Sequence, residues 1–179
     1  GSKYSVAVNS ATSALHIACL ALGLKKKEYL WTVSNTFVAS ANCGLYCGAR
    51  VDFIDIDKDT FNISIENITK KLKSAKKKKK TPKIVVAVDF GGNPYDHKKL
   101  YELSRKYNFK IITDASHSLG SRYKNYKIGE CRWSDITVFS FHPVKPITTA
   151  EGGIAVTNNK SLFEKLKVFR NHGISRDIK

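Results

Sequence analysis

No stretch of this sequence approaches the roughly 20 consecutive apolar residues that a membrane-spanning helix needs, so no membrane partner is expected. No signal-peptide pattern precedes the first apolar run, and the expected compartment is the cytoplasm. Cysteine is sparse and scattered, at Cys19, Cys43, Cys47 and Cys131. Cys43 and Cys47 have the spacing C-x-x-x-C, and no nearby histidine pair completes a zinc site. Reduced, mostly buried thiols and no metal are therefore expected. Acidic residues are also few, 15 against 31 lysines and arginines, which leaves a formal net charge of +16.

That charge raises the question of a polyanionic partner such as nucleic acid. Much of it sits in one run, Lys70 to Lys83, which holds neither arginine nor an aromatic side chain to read bases or stack on them. A solvated helix end and loop is the plainer reading. Nucleic-acid binding rests on charge alone. The chain has 179 residues, 42% of them hydrophobic, enough for one core and with no obvious second domain.

Short apolar runs at 5–8, 29–33, 51–56, 84–88, 109–113, 136–139 and 154–156 read as seven strands. Between them lie helical patterns. The segment 14–22 is a buried helix stopped at Gly23, and 38–46 is rich in small residues. The segment 64–73 carries Ile65, Ile68 and Leu72 on one face. Another helix runs up to Tyr107, and one starting near Ser161 turns Leu162, Leu166 and Phe169 inward. The segment 122–129 reads as a hairpin with Lys124-Asn125 at its turn, and a charged tail occupies 175–179. The alternation predicts an α/β fold, a three-layer sandwich around a mostly parallel seven-stranded sheet.

In such sheets ligands sit beyond the carboxyl ends of the strands. Five polar clusters fall at such places: the Thr12 turn, Asn35–Phe37, Asn93, Asp114–His117 and the Ser140–Lys145 loop. Convergence on one crevice is expected. Ser10, Thr12 and Ser13 crowd a strand-to-helix turn, where a hydroxyl serves as an ordinary N-cap or, with free backbone N–H groups, as part of an anion site. Lys145 precedes Pro146 between two strands, in a segment closed by Gly152-Gly153. Read alone, it fits a surface lysine as well as an amine held against a carbonyl carbon to form a Schiff base.

Five motifs in order resemble the DegT/DnrJ/EryC1/StrS family of sugar aminotransferases. They are Asn9-Ser-Ala-Thr-Ser-Ala-Leu15, Asn35-Thr-Phe-Val-Ala-Ser-Ala-Asn42, Asp114-Ala-Ser-His-Ser-Leu-Gly120, the stretch from Phe139 through His-Pro-Val-Lys145 to Gly153, and Phe169-Arg-Asn-His-Gly173. The resemblance implies the type I aminotransferase fold and pyridoxal 5′-phosphate as cofactor. Lys145 then matches the lysine that carries the cofactor and moves the proton. Asp114 matches the carboxylate beside the pyridine nitrogen, which makes the ring an electron sink. His117 stands where the family places a histidine or glutamine near the ring's 3′ oxygen. Thr12, Ser13 and Ser140 match phosphate ligands, and Phe37 the aromatic cover of the ring, although a Phe opening a helix is more often core. His142 reads as a support residue, and Asn93 has no assigned role.

The same resemblance implies L-glutamate as amino donor and a UDP-linked 4-keto-6-deoxy amino sugar as acceptor, in the synthesis of nonulosonic (pseudaminic) acid or a related surface glycan. It implies a homodimer with a shared site, and it makes residues 1–179 the cofactor-binding large domain without the N-terminal arm and C-terminal small domain. Two alternatives keep the fold and change the activity. A non-catalytic relative that only binds would be expected to lose the lysine, and the sugar dehydratases of this fold carry histidine in its place. Lys145 argues for transamination over both.

Overall fold

The computed structural model describes residues 1–174, and the charged tail at 175–179 lies outside the described residues. In chain order the elements are β1 (Tyr4–Val8), α1 (Ala11–Ala21), β2 (Tyr29–Val33), α2 (Ala39–Tyr46), β3 (Arg50–Ile54), α3 (Ile65–Lys77), β4 (Ile84–Val88), α4 (His97–Tyr107) and β5 (Lys110–Asp114). A small hairpin of β6 (Arg122–Tyr123) and β7 (Tyr126–Lys127) follows, then β8 (Ile136–Ser140), β9 (Gly153–Thr157) and α5 (Lys160–Arg170).

Alternation along the strands builds two cores. Ile84 and Val86 of β4 join the cluster made with α1, α2 and α5, while Val85 and Ala87 join the cluster made with α3 and α4. Successive side chains of a strand point to opposite faces, so a strand covered on both sides must be apolar throughout. All five residues of β4 are buried. The result is the expected three layers, with α1, α2 and α5 on one face and α3 and α4 on the other.

The sheet has seven strands in the order β1-β9-β8-β5-β4-β2-β3. Its pairs are parallel from β8 to β3, whereas β9 is antiparallel to both β1 and β8. Only β9 runs against the rest, so β1 points the same way as β8. The chain leaves β2 for β3 on one side and returns to β4 on the other. That reversal is a topological switch point, where the carboxyl ends of neighbouring strands open a crevice.

Two helices show how local sequence sets the boundaries. Ser64 caps α3 by accepting the Asn67 N–H, Glu66 lies in the first turn and Lys76 and Lys77 in the last, each placed to suit the helix dipole. Lys76 to Lys80 are exposed, so the lysine run is the solvated end of α3 and the loop after it. In α5 the inward face differs from expectation. Leu166 is buried, but Phe169 is 38% exposed. Phe163 packs instead, stacking on Tyr4 of the edge strand at 4.9 Å, so the packed stripe runs through 162, 163 and 166.

Candidate active site

The crevice is a cavity of about 520 Å³, within the size range of small-molecule sites. Four of the five expected clusters line it: the Thr12 turn, Asn35 to Phe37, Asp114 with His117, and Ser140 with Lys145. Asn93 does not. Its carbonyl accepts from Asn62 Nδ2 at 2.9 Å, which makes it part of the loop's scaffold. Val88 at the end of β4, with Asp89 and Phe90 of the same loop, reaches the cavity in its stead.

Asp114 ends β5 and is 5% exposed. Both of its oxygens are held. Ser40 Oγ donates to Oδ2 at 2.9 Å, and Ser116 donates to Oδ1 from its hydroxyl at 2.6 Å and its N–H at 3.2 Å. Ser40 is buried in α2 and shares a hydrogen bond of 2.9 Å with Thr36 Oγ1. The carboxylate is thus held in one orientation by donors on both oxygens. Sequence reasoning missed Ser40 and Ser116. Ser116, two residues after an aspartate, has the local Asx-turn pattern. Ser40 is 74 residues away from Asp114 in the chain and carries no local signal.

Lys145 sits in a loop that leaves β8 and returns to β9. Phe141 ties it shut: its N–H donates to Gly152 O at 2.9 Å, and its carbonyl accepts from Thr149 N–H and Thr148 Oγ1, each at 3.0 Å. The Lys145 N–H donates to His142 O at 2.9 Å. From this closed loop the lysine Nζ reaches His117 Nε2 at 2.7 Å. Burial lowers the pKa of His117, the neighbouring lysine lowers it further, and Asp114 opposes both. A neutral imidazole accepts the lysine N–H at Nε2 and carries its own proton on Nδ1.

The opposite wall is the start of α1. Ser10 is its N-cap and accepts the Ser13 N–H at 3.1 Å. Ala11 and Thr12 line the cavity, and the first N–H groups of a helix have no intrahelical partner. Ser13 is turned away, its hydroxyl donating to Asn9 Oδ1 at 2.6 Å. Ser10 replaces it among the cavity-lining hydroxyls. This wall comes close to the sheet because residue 153 is glycine, where a Cβ would fall 2.3 Å from the Ser10 carbonyl carbon and 2.4 Å from the Ala11 nitrogen. Ser140, the last residue of β8, is nearly buried and lines the cavity, with its Oγ accepting the His142 N–H at 3.4 Å. Phe37 stands at the mouth, 72% exposed.

One end of the cavity therefore suits an anion, a fixed carboxylate lies within it, and an amine reaches in from a closed loop. This donor set fits a phosphorylated pyridine aldehyde. The sequence profile of the DegT/DnrJ/EryC1/StrS aminotransferase family matches residues 1–179. The chain belongs to this family. A relative in Campylobacter jejuni (serotype O:23/36), named UDP-4-amino-4,6-dideoxy-N-acetyl-β-L-altrosamine transaminase, is 49% identical over 176 residues, which are 97% of this chain and 44% of the relative. Among solved structures, Helicobacter pylori PseC, an aminotransferase involved in the biosynthesis of pseudoaminic acid, has a TM-score of 0.86 and 36% identity, covering 99% of this chain and 46% of that one. NtdA of Bacillus subtilis, solved with bound cofactor PMP, has a TM-score of 0.86 and 27% identity, over 99% of this chain and 38% of its own. The chain thus spans less than half the length of these relatives. DegT/DnrJ/EryC1/StrS aminotransferases use pyridoxal phosphate, and the expected fold and cofactor class of this chain agree with its family.

Proposed function

We propose that this chain is the cofactor-binding domain of a pyridoxal-phosphate-dependent nucleotide-sugar aminotransferase, with Lys145 as its catalytic residue. The observation that carries the reading is the amine of Lys145, fixed by a closed loop in the cavity that holds the doubly anchored Asp114.

Bound pyridoxal phosphate supplies a carbonyl carbon that an amine can capture and a ring that takes up the electrons of a broken C–H bond. The chain's own groups do the rest. Asp114 would place its carboxylate beside the pyridine nitrogen. Thr12 and Ser140, with the first N–H groups of α1, receive the phosphate. Ser10 joins them in place of Ser13. Phe37 covers a ring face and limits water. His117 orients Lys145 by accepting one of its protons. The Lys145 amine would serve as the base that takes the proton from the donor's α-carbon and would return a proton to the acceptor carbon.

The amino donor in this reading is L-glutamate, which leaves as 2-oxoglutarate, and the acceptor is a UDP-linked 4-keto-6-deoxy amino sugar in a pseudaminic-acid-type pathway. Support for the sugar comes from the names of the 49% and 36% identical relatives. A homodimer that shares its sites and works in the cytoplasm completes the proposal. The amino group stays with the enzyme between two half-reactions, so ping-pong kinetics are expected.

The test is incubation with pyridoxal phosphate, borohydride reduction and peptide mass mapping. A phosphopyridoxyl group on Lys145, absent in Lys145→Ala, is the expected result. Its absence from the wild-type protein overturns the assignment. Release of at most one equivalent of 2-oxoglutarate per site from glutamate alone, and continuous turnover only when a UDP-keto sugar is also supplied, tests the substrates.

A further inference from the structure

Asp89 follows the last residue of β4, is 0% exposed and borders the cavity, yet the proposed reaction does not use it. A buried carboxylate is costly unless donors surround it. Here three converge. His97 Nε2 meets Oδ1 at 2.9 Å, the Tyr95 N–H donates to Oδ1 at 3.2 Å, and Ser118 Oγ donates to Oδ2 at 2.8 Å. His97 is itself buried and stacks on Tyr95 at 3.8 Å, so the side of Asp89 toward α4 is rigid.

The other side of Asp89 grips the loop that carries His117. Its N–H donates to Asp114 O at 3.1 Å, and Ser118 is the residue directly after His117. Farther along, Ser121 Oγ donates to Gly92 O at 2.8 Å. Gly92 has φ +83°, and a Cβ there would stand 2.8 Å from the His117 carbonyl oxygen. The two loops are stitched on both sides of His117, whose ring then touches Lys145.

We propose that Asp89 is a positioning residue: through Ser118, its buried carboxylate fixes the 114–118 loop and so holds His117 Nε2 against Lys145 Nζ. The functional weight of this device rests on the reading of Lys145 as the cofactor's anchor, but the device itself is testable without any cofactor.

The experiment is an NMR titration of the His117 imidazole in wild type, Asp89→Asn and Ser118→Ala, with circular dichroism to establish folding. The charged groups acting on His117 are Lys145 and Asp114. Releasing the clamp loosens His117 from its burial and from Lys145, so its midpoint rises toward the ordinary histidine value in both variants. The rate of borohydride-trapped addition at Lys145 falls severalfold in parallel. Asp89→Asn leaves a single acceptor oxygen facing three donors and is the harsher change; if that variant unfolds, Ser118→Ala, which deletes a single hydroxyl, decides. A folded Ser118→Ala protein with wild-type His117 midpoint overturns the proposal. If wild type forms no adduct, the cofactor reading fails, and the titration still decides the role of Asp89.

Discussion

Lys145 Nζ and His117 Nε2 lie 2.7 Å apart across 28 residues of sequence. This contact joins the two loops that carry the proposed chemistry, and its state depends on one proton. His117 is lowered from 6.5 by burial first and by Lys145 second, with Asp114 opposing. At neutral pH its Nε2 is free to accept. Addition of pyridoxal phosphate at Lys145 therefore gains an acid limb as pH falls below 6.5 through the lowered value. His117→Gln keeps an acceptor that does not titrate in this range, so the part of the limb due to His117 disappears. Borohydride-trapped adduct measured against pH checks this, and identical acid limbs in both proteins would refute it.

The same shift has a sign for stability. Between the ordinary and the lowered value the unfolded chain binds a proton that the folded chain does not. His117 thus makes the protein lose stability as pH drops through that window, and it has no such effect above the window. Denaturant midpoints for wild type and His117→Gln should diverge only on the acid side.

Ser40 and Ser116 hold opposite oxygens of Asp114. Hydrogen bonds to a charged group contribute roughly 1.5–3 kcal/mol. Ser40→Ala removes the only hydrogen-bond donor to Oδ2 found among the described residues, and is expected to lower stability by about that amount. Ser116→Ala retains the backbone donor on Oδ1 and should cost less. Urea unfolding with constant m-values measures the difference. Equal and negligible losses would mean that water replaces both hydroxyls without cost.

A methyl group is unfavourable at two positions near the end of the Lys145 loop, Ala150 and the first residue of β9, so adding it at one and removing it at the other should have opposite effects. Gly153→Ala drives a Cβ into the backbone of Ser10 and Ala11, where no flexible side-chain end can yield. Overpacking of this kind costs roughly 1–3 kcal/mol, and it displaces the α1 terminus that would receive the phosphate. Ala150 has φ 63°, a left-handed conformation that costs a non-glycine residue roughly 1–2 kcal/mol. Ala150→Gly relieves this, offset by about 0.4–1 kcal/mol of added unfolded-state freedom, so a neutral to slightly stabilising effect is expected. Thermal unfolding of the two variants checks the opposed signs.

The parts of this architecture that rest on local pattern were legible in the sequence. The strands at 29–33 and 84–88 agree with β2 and β4 residue for residue, because continuous apolar runs mark strands buried on both faces. The lysine-bearing loop was marked by its prolines and glycines. The second layer around the site was not legible. Ser40 at the start of α2 reaches Asp114 at the end of β5 from 74 residues away, and Ser118 reaches Asp89 from 29 residues away. Ser13 shows the complementary limit. A run of hydroxyls at a helix start is visible in sequence, but which of them faces the cavity depends on side-chain torsions that Asn9 and Ser10 decide.

The basic run offers a test in which the expected stability effect is small. Lys76 to Lys80 are exposed, and none of them forms an ion pair with another described residue. Like charges crowded at one end of a helix repel, while the helix dipole favours cations in its last turn; the opposed contributions are each a few tenths of a kcal/mol, about the size of i,i+4 pair effects. Replacing Lys78, Lys79 and Lys80 by glutamine is therefore expected to leave the urea midpoint within about 0.5 kcal/mol of wild type and the adduct at Lys145 unchanged. Retention on a nucleic-acid or other polyanionic matrix should weaken in the variant and fall steeply with salt in both proteins, as a charge-only interaction requires. Salt-resistant retention that the three substitutions abolish would instead reveal a specific partner at this end of the molecule.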